Sequence, residues 1–251
     1  MILRRSNHTW PLLIGANRDE NGTRPWAAPA RHWDDRADVV AGLDELAGGT
    51  WLGINDFGLV ACVLNRPGTL GPAKNKRSRG ELPLEALDHA EASTAAEALR
   101  VLDPSTYRPF NLIVADAHDG YWITLPEIEN KIEVQTLPEG LSMITAHDLN
   151  DPTHSARQRT HYPRFAAAQT PDPDSGDWSQ WENLLESRQR ADDNSPESAM
   201  LIETDTGFGT SSSSLIAIPS FKKKSENPET SAIWRFRGGK PKEVPWTNIK
   251  I

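Results

Sequence analysis

Sulfur chemistry is nearly absent from this chain. Cys62 is the single cysteine in 251 residues, so no internal disulfide can form and no thiolate cluster can hold zinc or an iron–sulfur centre. A lone thiol suits a reducing compartment. Long apolar runs are missing too. The first, Met1-Ile2-Leu3, breaks at Arg4-Arg5 and does not read as a signal peptide, and no later run approaches the roughly 20 residues of a membrane span. The expectation is a cytoplasmic protein without integral membrane association. Positive charge is also short: 27 Lys and Arg against 35 Asp and Glu give a net charge of -8. The resulting field repels phosphate backbones, so nucleic acid is not an expected partner. The concentrated basic run, Lys222-Lys223-Lys224, lies between Pro219 and Pro228 and reads as a solvated loop.

Other absences narrow the chemistry. Ser211 to Ser214 lacks the Gly-x-Ser-x-Gly elbow of a serine hydrolase and reads as a solvated or strand-edge run. Gly207-Phe208-Gly209 is too short for a nucleotide loop. His147, Asp148, Asp151 and His154 are metal-ligand types in one stretch, yet Asx-rich loops commonly satisfy their own backbone. No metal and no cofactor are expected. There is no repeat, no coiled coil and no polar linker, so residues 1–251 read as a single domain. Apolar residues make up 37%, and nine tryptophans supply the large buried areas that complete a core.

What is present centres on two stretches. Asn17-Arg18-Asp19-Glu20 follows the apolar run Pro11 to Ala16, which has the length of a buried strand. Four polar groups there form either a turn or a functional cluster. Gly48-Gly49-Thr50-Trp51 opens with glycines suited to a sharp turn or a close approach. It continues through Asn55-Asp56-Phe57-Gly58 into Leu59 to Asn65, a hairpin pattern with Gly58 free to take positive φ and Asn65 at a strand end.

The rest of the chain adds strands at 2–5, 110–115, 121–125, 131–137, 142–145, 200–202, 213–218 and 233–236. Residues 24–38, with Pro25, Pro29, Trp26 and Trp33, read as a long loop pinned by aromatics. Helices are expected over 80–89, from a capping box at Thr94 to Glu97 down to Asp103, and over 178–190. Strands with helices grouped between them indicate an α+β protein of packed sheet and helix, not alternating βαβ units.

At these residues the chain resembles a known family. Asn17-Arg18-Asp19-Glu20, Thr23-Arg24-Pro25, Ala47 to Gly53, Ser78-Arg79-Gly80-Glu81-Leu82, Phe110-Asn111-Leu112 and Gly207 to Thr210 stand in the order found in the NRDE family, also called the transport and Golgi organisation 2 family. That family resembles the N-terminal nucleophile hydrolases, which implies an αββα sandwich of antiparallel sheets. In those enzymes an N-terminal cysteine thiol attacks an amide carbon while its own α-amine moves the proton. The resemblance places Asp19 at the carboxylate position and Asn65 at the oxyanion position. It sets Arg18 and Asn17 beside the same pocket, with Trp51 and His147 as further substrate-contact candidates.

The decisive position differs. The chain begins Met1-Ile2, neither of which can attack a carbonyl, and a thiol inside the apolar strand around Cys62 reads as inert. Either the nucleophile has been lost, or the native start lies a few codons upstream, which is the expectation favoured here. The implied function is hydrolysis of a small amide or acyl substrate. The alternative is a carrier or trafficking factor for a hydrophobic small molecule such as lipid, acyl-CoA or haem, and a third reading is a scaffold with a vestigial pocket. The expected partner is a small-molecule ligand or substrate.

Overall fold

The apolar start of the chain sets the first pairing. Strand β1 (Ile2–Arg4) lies antiparallel to β2 (Leu12–Asn21), with Ile2 opposite Ile14 and Arg4 opposite Leu12. β2 runs on through Asn17 to Glu20, so the turn allowed for at those residues does not form. The computed structural model describes residues 1–128, 131–192, 194–239 and 243–251. The chain divides into two units, one of Met1–Arg24 with Pro138–Lys250, the other of Pro25–Leu137 with Ile251.

The second unit holds β3 (Trp26–Ala30), β4 (Val39–Asp44), β5 (Leu52–Asn55), β6 (Val60–Asn65), helices α1 (Glu81–Leu87) and α2 (Ala92–Arg100), then β7 (Phe110–Ala115), β8 (Gly120–Leu125) and β9 (Glu133–Thr136). Its seven strands pair antiparallel in sequence order. Alternate residues Val39, Ala41, Ala61, Leu112, Val114 and Ile123 pack with Leu82, Leu87, Ala95 and Leu99 of the two helices. Each fully buried Val, Leu or Ile among them contributes about 1.5–3 kcal/mol.

Two expectations need correction in this unit, and one strand is an addition to them. Residues 24–38 are not one loop, because Trp26–Ala30 forms an edge strand, where Pro29 is tolerated for want of a second neighbour. β4 had no counterpart in the sequence reading. α2 begins two residues before Thr94, with no side-chain cap from its N-cap Glu91. Asp116 of the β7–β8 turn accepts from the Ala92 N–H at 2.8 Å instead. The β5–β6 and β7–β8 hairpins form as expected, and Gly58 adopts φ +89°.

The first unit resumes with β10 (Gly140–Ser142), α3 (Ala156–Ala167), α4 (Ser179–Leu185), β11 (Phe208–Ile218), α5 (Phe221–Glu226), β12 (Ile233–Gly238) and β13 (Thr247–Ile249). Its sheet order is β10-β1-β2-β11-β12-β13. Leu13, Leu215 and Ala217 face Phe165, Trp178, Trp181 and Leu185, with Phe165 and Trp181 edge to face at 5.5 Å. Gly15 leaves room for the Trp181 ring, which a Cβ there would meet at 3.1 Å.

Here too the structure departs from expectation. Helix α3 carries Pro163 in its interior and a polar composition, which hid it. Residues 200–202 form no strand, and β10 lies ahead of the strand expected over 142–145. The serine run lies within β11, an interior strand of the sheet, with Ser212 to Ser214 buried and Ser211 half-buried. Lys222 to Lys224 lie on α5, whose N-cap Ser220 Oγ accepts from the Lys223 N–H at 3.1 Å. Among the described residues no helix is long and apolar enough to cross a membrane.

Candidate functional site

β2 and β11 share the longest register in the first unit, from Leu12 opposite Ile218 to Asn21 opposite Phe208. Side chains alternate across a strand, so Asn17 and Asp19 share one face with Leu13, while Arg18 occupies the other. Asn17 is fully committed. Its amide nitrogen donates to the carbonyls of Leu185 at 2.9 Å and Met200 at 2.8 Å, and its Oδ1 accepts from Ser213 Oγ at 2.8 Å. It therefore braces the chain on either side of the 186–199 segment against the sheet.

Asp19 is held at both oxygens. Arg157 Nη1, from the first turn of α3, donates to Oδ2 at 2.8 Å, and Thr210 Oγ1 donates to Oδ1 at 2.7 Å. Arg157 is itself aimed by a bond from Nε to the Glu197 carbonyl at 2.9 Å. Charge-assisted bonds of this kind are among the stronger polar contacts in proteins.

A bulge makes the Thr210 contact. Ser213 lies opposite Asn17 and Ser212 opposite Arg18, yet Thr210 lies opposite Asp19, leaving Ser211 as the extra residue. Strict alternation would turn Thr210 away from Asp19. The extra residue restores it, and Ser211 Oγ accepts from Arg18 Nη1 at 3.0 Å while donating to the Arg18 carbonyl at 3.1 Å. Arg18 is buried, 8% exposed, with Glu20 at 3.7 Å.

His147 follows β10 in a loop tied to α3. Gln158 Nε2 donates to the Asp148 carbonyl at 2.7 Å and to Thr145 Oγ1 at 3.2 Å, and Thr145 Oγ1 in turn meets Ser155 Oγ at 3.0 Å. The loop bearing His147 and the turn bearing Arg157 are thus one hydrogen-bonded assembly. Asp151 caps its own loop, accepting from the Thr153 and His154 amides at 3.1 Å.

In the second unit, Trp51 precedes β5. Its ring covers Gly42, where a Cβ would come within 2.3 Å of ring atoms, and meets Trp26 edge to face at 5.9 Å. Just before it, a Cβ on Gly49 would fall 2.5 Å from the Gly80 backbone, and the Thr50 N–H donates to the Gly80 carbonyl at 2.9 Å. Two glycine-bearing motifs far apart in sequence therefore meet backbone to backbone. Asn65 is the last residue of β6, opposite Phe110. It is half-buried, and among the described residues its side chain makes no hydrogen bond.

The following residue, Arg66, turns into a polar cluster. Asn111 Oδ1 accepts from Arg66 Nη1 at 3.0 Å, Trp122 Nε1 at 3.1 Å and Thr124 Oγ1 at 3.0 Å. Cys62, on the same strand as Asn65, has its thiol pushed up to about 11 by burial, which removes it as a nucleophile near neutrality. Sequence reasoning placed Thr210 in a family motif and Ser211 in the serine run without giving either a site role, and it did not single out Arg157. A serine-rich strand carries no local sign of a bulge, and nothing near Arg157 announces its partner 138 residues away.

The sequence model of one protein family, Transport and Golgi organisation 2, matches residues 1–226. A Transport and Golgi organization protein 2 homolog from Bos taurus is 37% identical over 116 residues, covering 44% of this chain and 41% of that protein. The human homolog is 34% identical over the same length and shares. The match thus spans about two-fifths of these curated relatives. Among solved structures, the Caenorhabditis elegans ortholog of N-acylethanolamine-hydrolyzing acid amidase superposes with a TM-score of 0.60 at 14% identity, covering 92% of this chain and 97% of that one. A variant of conjugated bile acid hydrolase from Clostridium perfringens gives 0.53 at 12% identity, covering 99% and 91%. At such identities the likeness is one of fold: an α+β, N-terminal-nucleophile-hydrolase-like arrangement of antiparallel sheets.

Proposed function

The chain belongs to the transport and Golgi organisation 2 family, and from that premise we propose that it is an N-terminal-nucleophile amide hydrolase, acting through a cysteine placed ahead of Met1. The supporting observation is strand register. Met1 and Gly15 exchange backbone bonds, the Met1 amine donating to the Gly15 carbonyl at 2.7 Å and the Gly15 N–H to the Met1 carbonyl at 2.9 Å. Continuing that register, a residue two positions ahead of Met1 falls opposite Asn17, on the face that Asn17 shares with Asp19. A nucleophile there arrives beside a carboxylate already held at both oxygens.

The chemistry follows from that placement. The thiol sulfur bonds to the amide carbon and its proton passes to the cysteine's own α-amine, whose ordinary pKa of roughly 7.7–8.0 suits it as a base. The carbonyl π pair moves to oxygen. Collapse restores the carbonyl and expels the leaving amine, which takes the proton from the α-ammonium, leaving a thioester. Water then attacks with the α-amine as base, the carboxylic acid is released, and the thiolate takes the water's proton from the α-ammonium to regenerate the thiol. Asp19 orients the ammonium, and Asn65 carries the oxyanion role that the family resemblance assigns it. Arg18, Trp51 and His147 remain candidates for substrate contact, while Asn17 acts as a brace. An amidase and a hydrolase among the fold neighbours support acyl amides as the substrate class.

The test is turnover by a chain extended with methionine and cysteine to that register, on a panel of N-acyl amides, with released amine detected by mass spectrometry. Asp19→Asn lowers turnover at least about 100-fold without unfolding the protein. A folded extended chain that hydrolyses none of the panel, yet is stabilised against heat by acyl-CoA or lipid, returns the function to carriage.

A further inference from the structure

We infer that Arg79 is a positioning residue for Asn65, acting through Thr69; the inference rests on the oxyanion reading of Asn65 above. After Asn65 the chain turns at once, and Thr69 closes the turn, its N–H and Oγ1 donating to the Arg66 carbonyl at 3.2 and 2.7 Å. Arg79, two residues ahead of α1, reaches back into this turn. Its Nη1 donates to Thr69 Oγ1 at 2.7 Å and to the Pro109 carbonyl at 3.0 Å, and its Nη2 to the Thr69 carbonyl at 2.7 Å.

Pro109 leads directly into Phe110, the residue opposite Asn65. One guanidinium therefore ties the loop leaving Asn65 to the start of the strand that pairs with it. Because the Asn65 side chain has no hydrogen bond of its own among the described residues, its direction is set by this backbone frame. A planar fork can span these acceptors, whereas a lysine ammonium presents a single point charge. Arg108 also holds the loop, but at its tip, with Nη1 on the Leu70 and Gly71 carbonyls and Nη2 on Gly68.

The experiment follows the Asn65 side-chain amide by NMR in asparagine-labelled protein, its signal assigned by its loss in Asn65→Asp. Arg79→Gln and Arg79→Lys shift or broaden that signal while the Trp181 indole signal stays in place, and Thr69→Val gives a smaller change in the same direction. Arg108→Gln leaves it unmoved. An unmoved signal in the Arg79 variants, or an equal shift in Arg108→Gln, overturns the inference. In an active cysteine-extended chain, Arg79→Gln lowers kcat about 10- to 100-fold with KM within about twofold, and unchanged kcat overturns the inference while hydrolysis stands. A shifted Asn65 signal in a folded cysteine-extended chain that shows no turnover sinks the hydrolase reading and leaves the positioning intact.

Discussion

Arg157 Nη1 donates to Asp19 Oδ2 across 2.8 Å, joining the first turn of α3 to the last third of β2. The two side chains are 17% and 16% exposed, so the pair is partly screened by water but far from a surface ion pair. Breaking it should cost about 1–3 kcal/mol. Urea unfolding of Asp19→Asn, Arg157→Gln and the double variant should show a coupling of roughly 1 kcal/mol. Strict additivity would mean that the contact holds nothing.

Asn17 has a heavier structural duty than its neighbour. Replacing it with alanine takes the donor from the Leu185 carbonyl and the acceptor from Ser213 Oγ, and leaves the Met200 carbonyl only the longer bond from Thr210 Oγ1 at 3.5 Å. The expected loss is about 2–4 kcal/mol. Asn17→Asp faces the same two carbonyls with a carboxylate, so it should be least stable near neutral pH and recover as acid protonates it. Chemical unfolding at pH 7 and pH 4.5 checks this, and a variant equally stable at both, relative to the parent, would count against it.

His161 sets an acid limit on stability. Its Nε2 lies 3.2 Å from the Gln189 carbonyl and 3.1 Å from that of Ser198, and Nδ1 accepts from Arg164 Nη1 at 3.1 Å. The neutral ring fits this setting, and burial together with the Arg164 charge pushes its pKa down to about 4. Since the unfolded ring has a pKa near 6.5, the unfolded state binds the extra proton between these values. The contribution is complete above about pH 6.5 and is lost as pH falls toward 4, on the order of 2 kcal/mol. Wild type should lose more stability than His161→Gln between pH 7 and pH 4.5, and parallel profiles would refute it.

Cys62 should be nearly inert. With its thiol raised to about 11, roughly a thousandth of it is thiolate at pH 8. Iodoacetamide should label the folded chain far more slowly than the urea-unfolded chain, as read by intact mass. Equal rates would mean that the thiol is not shielded.

Legibility from sequence followed the range of the interactions. The β7–β8 hairpin could be read because two short apolar runs and the turn between them lie within 16 residues, and the Gly58 turn announced its own backbone. The polar strand Asn17 to Glu20 could not, since its partners come from Arg157, Leu185, Met200 and residues 210–213. Polar groups are stable mid-strand only once those distant groups pair with them. The cap lent to α2 by Asp116, 24 residues from Ala92, shows the same limit for helices: local signals locate an element, while a distant partner fixes its end. Asn65 was recognisable as a strand end, but the Arg79 brace behind it was not.

The most direct test is the intact mass of the chain carrying a cysteine two positions ahead of Met1, after brief exposure to an electrophilic acyl probe at neutral pH. One covalent adduct per chain, mapped to the added cysteine and not to Cys62, and slowed by Asp19→Asn, is the expected result. No adduct on a folded chain, or labelling indifferent to Asp19, would contradict the hydrolase account.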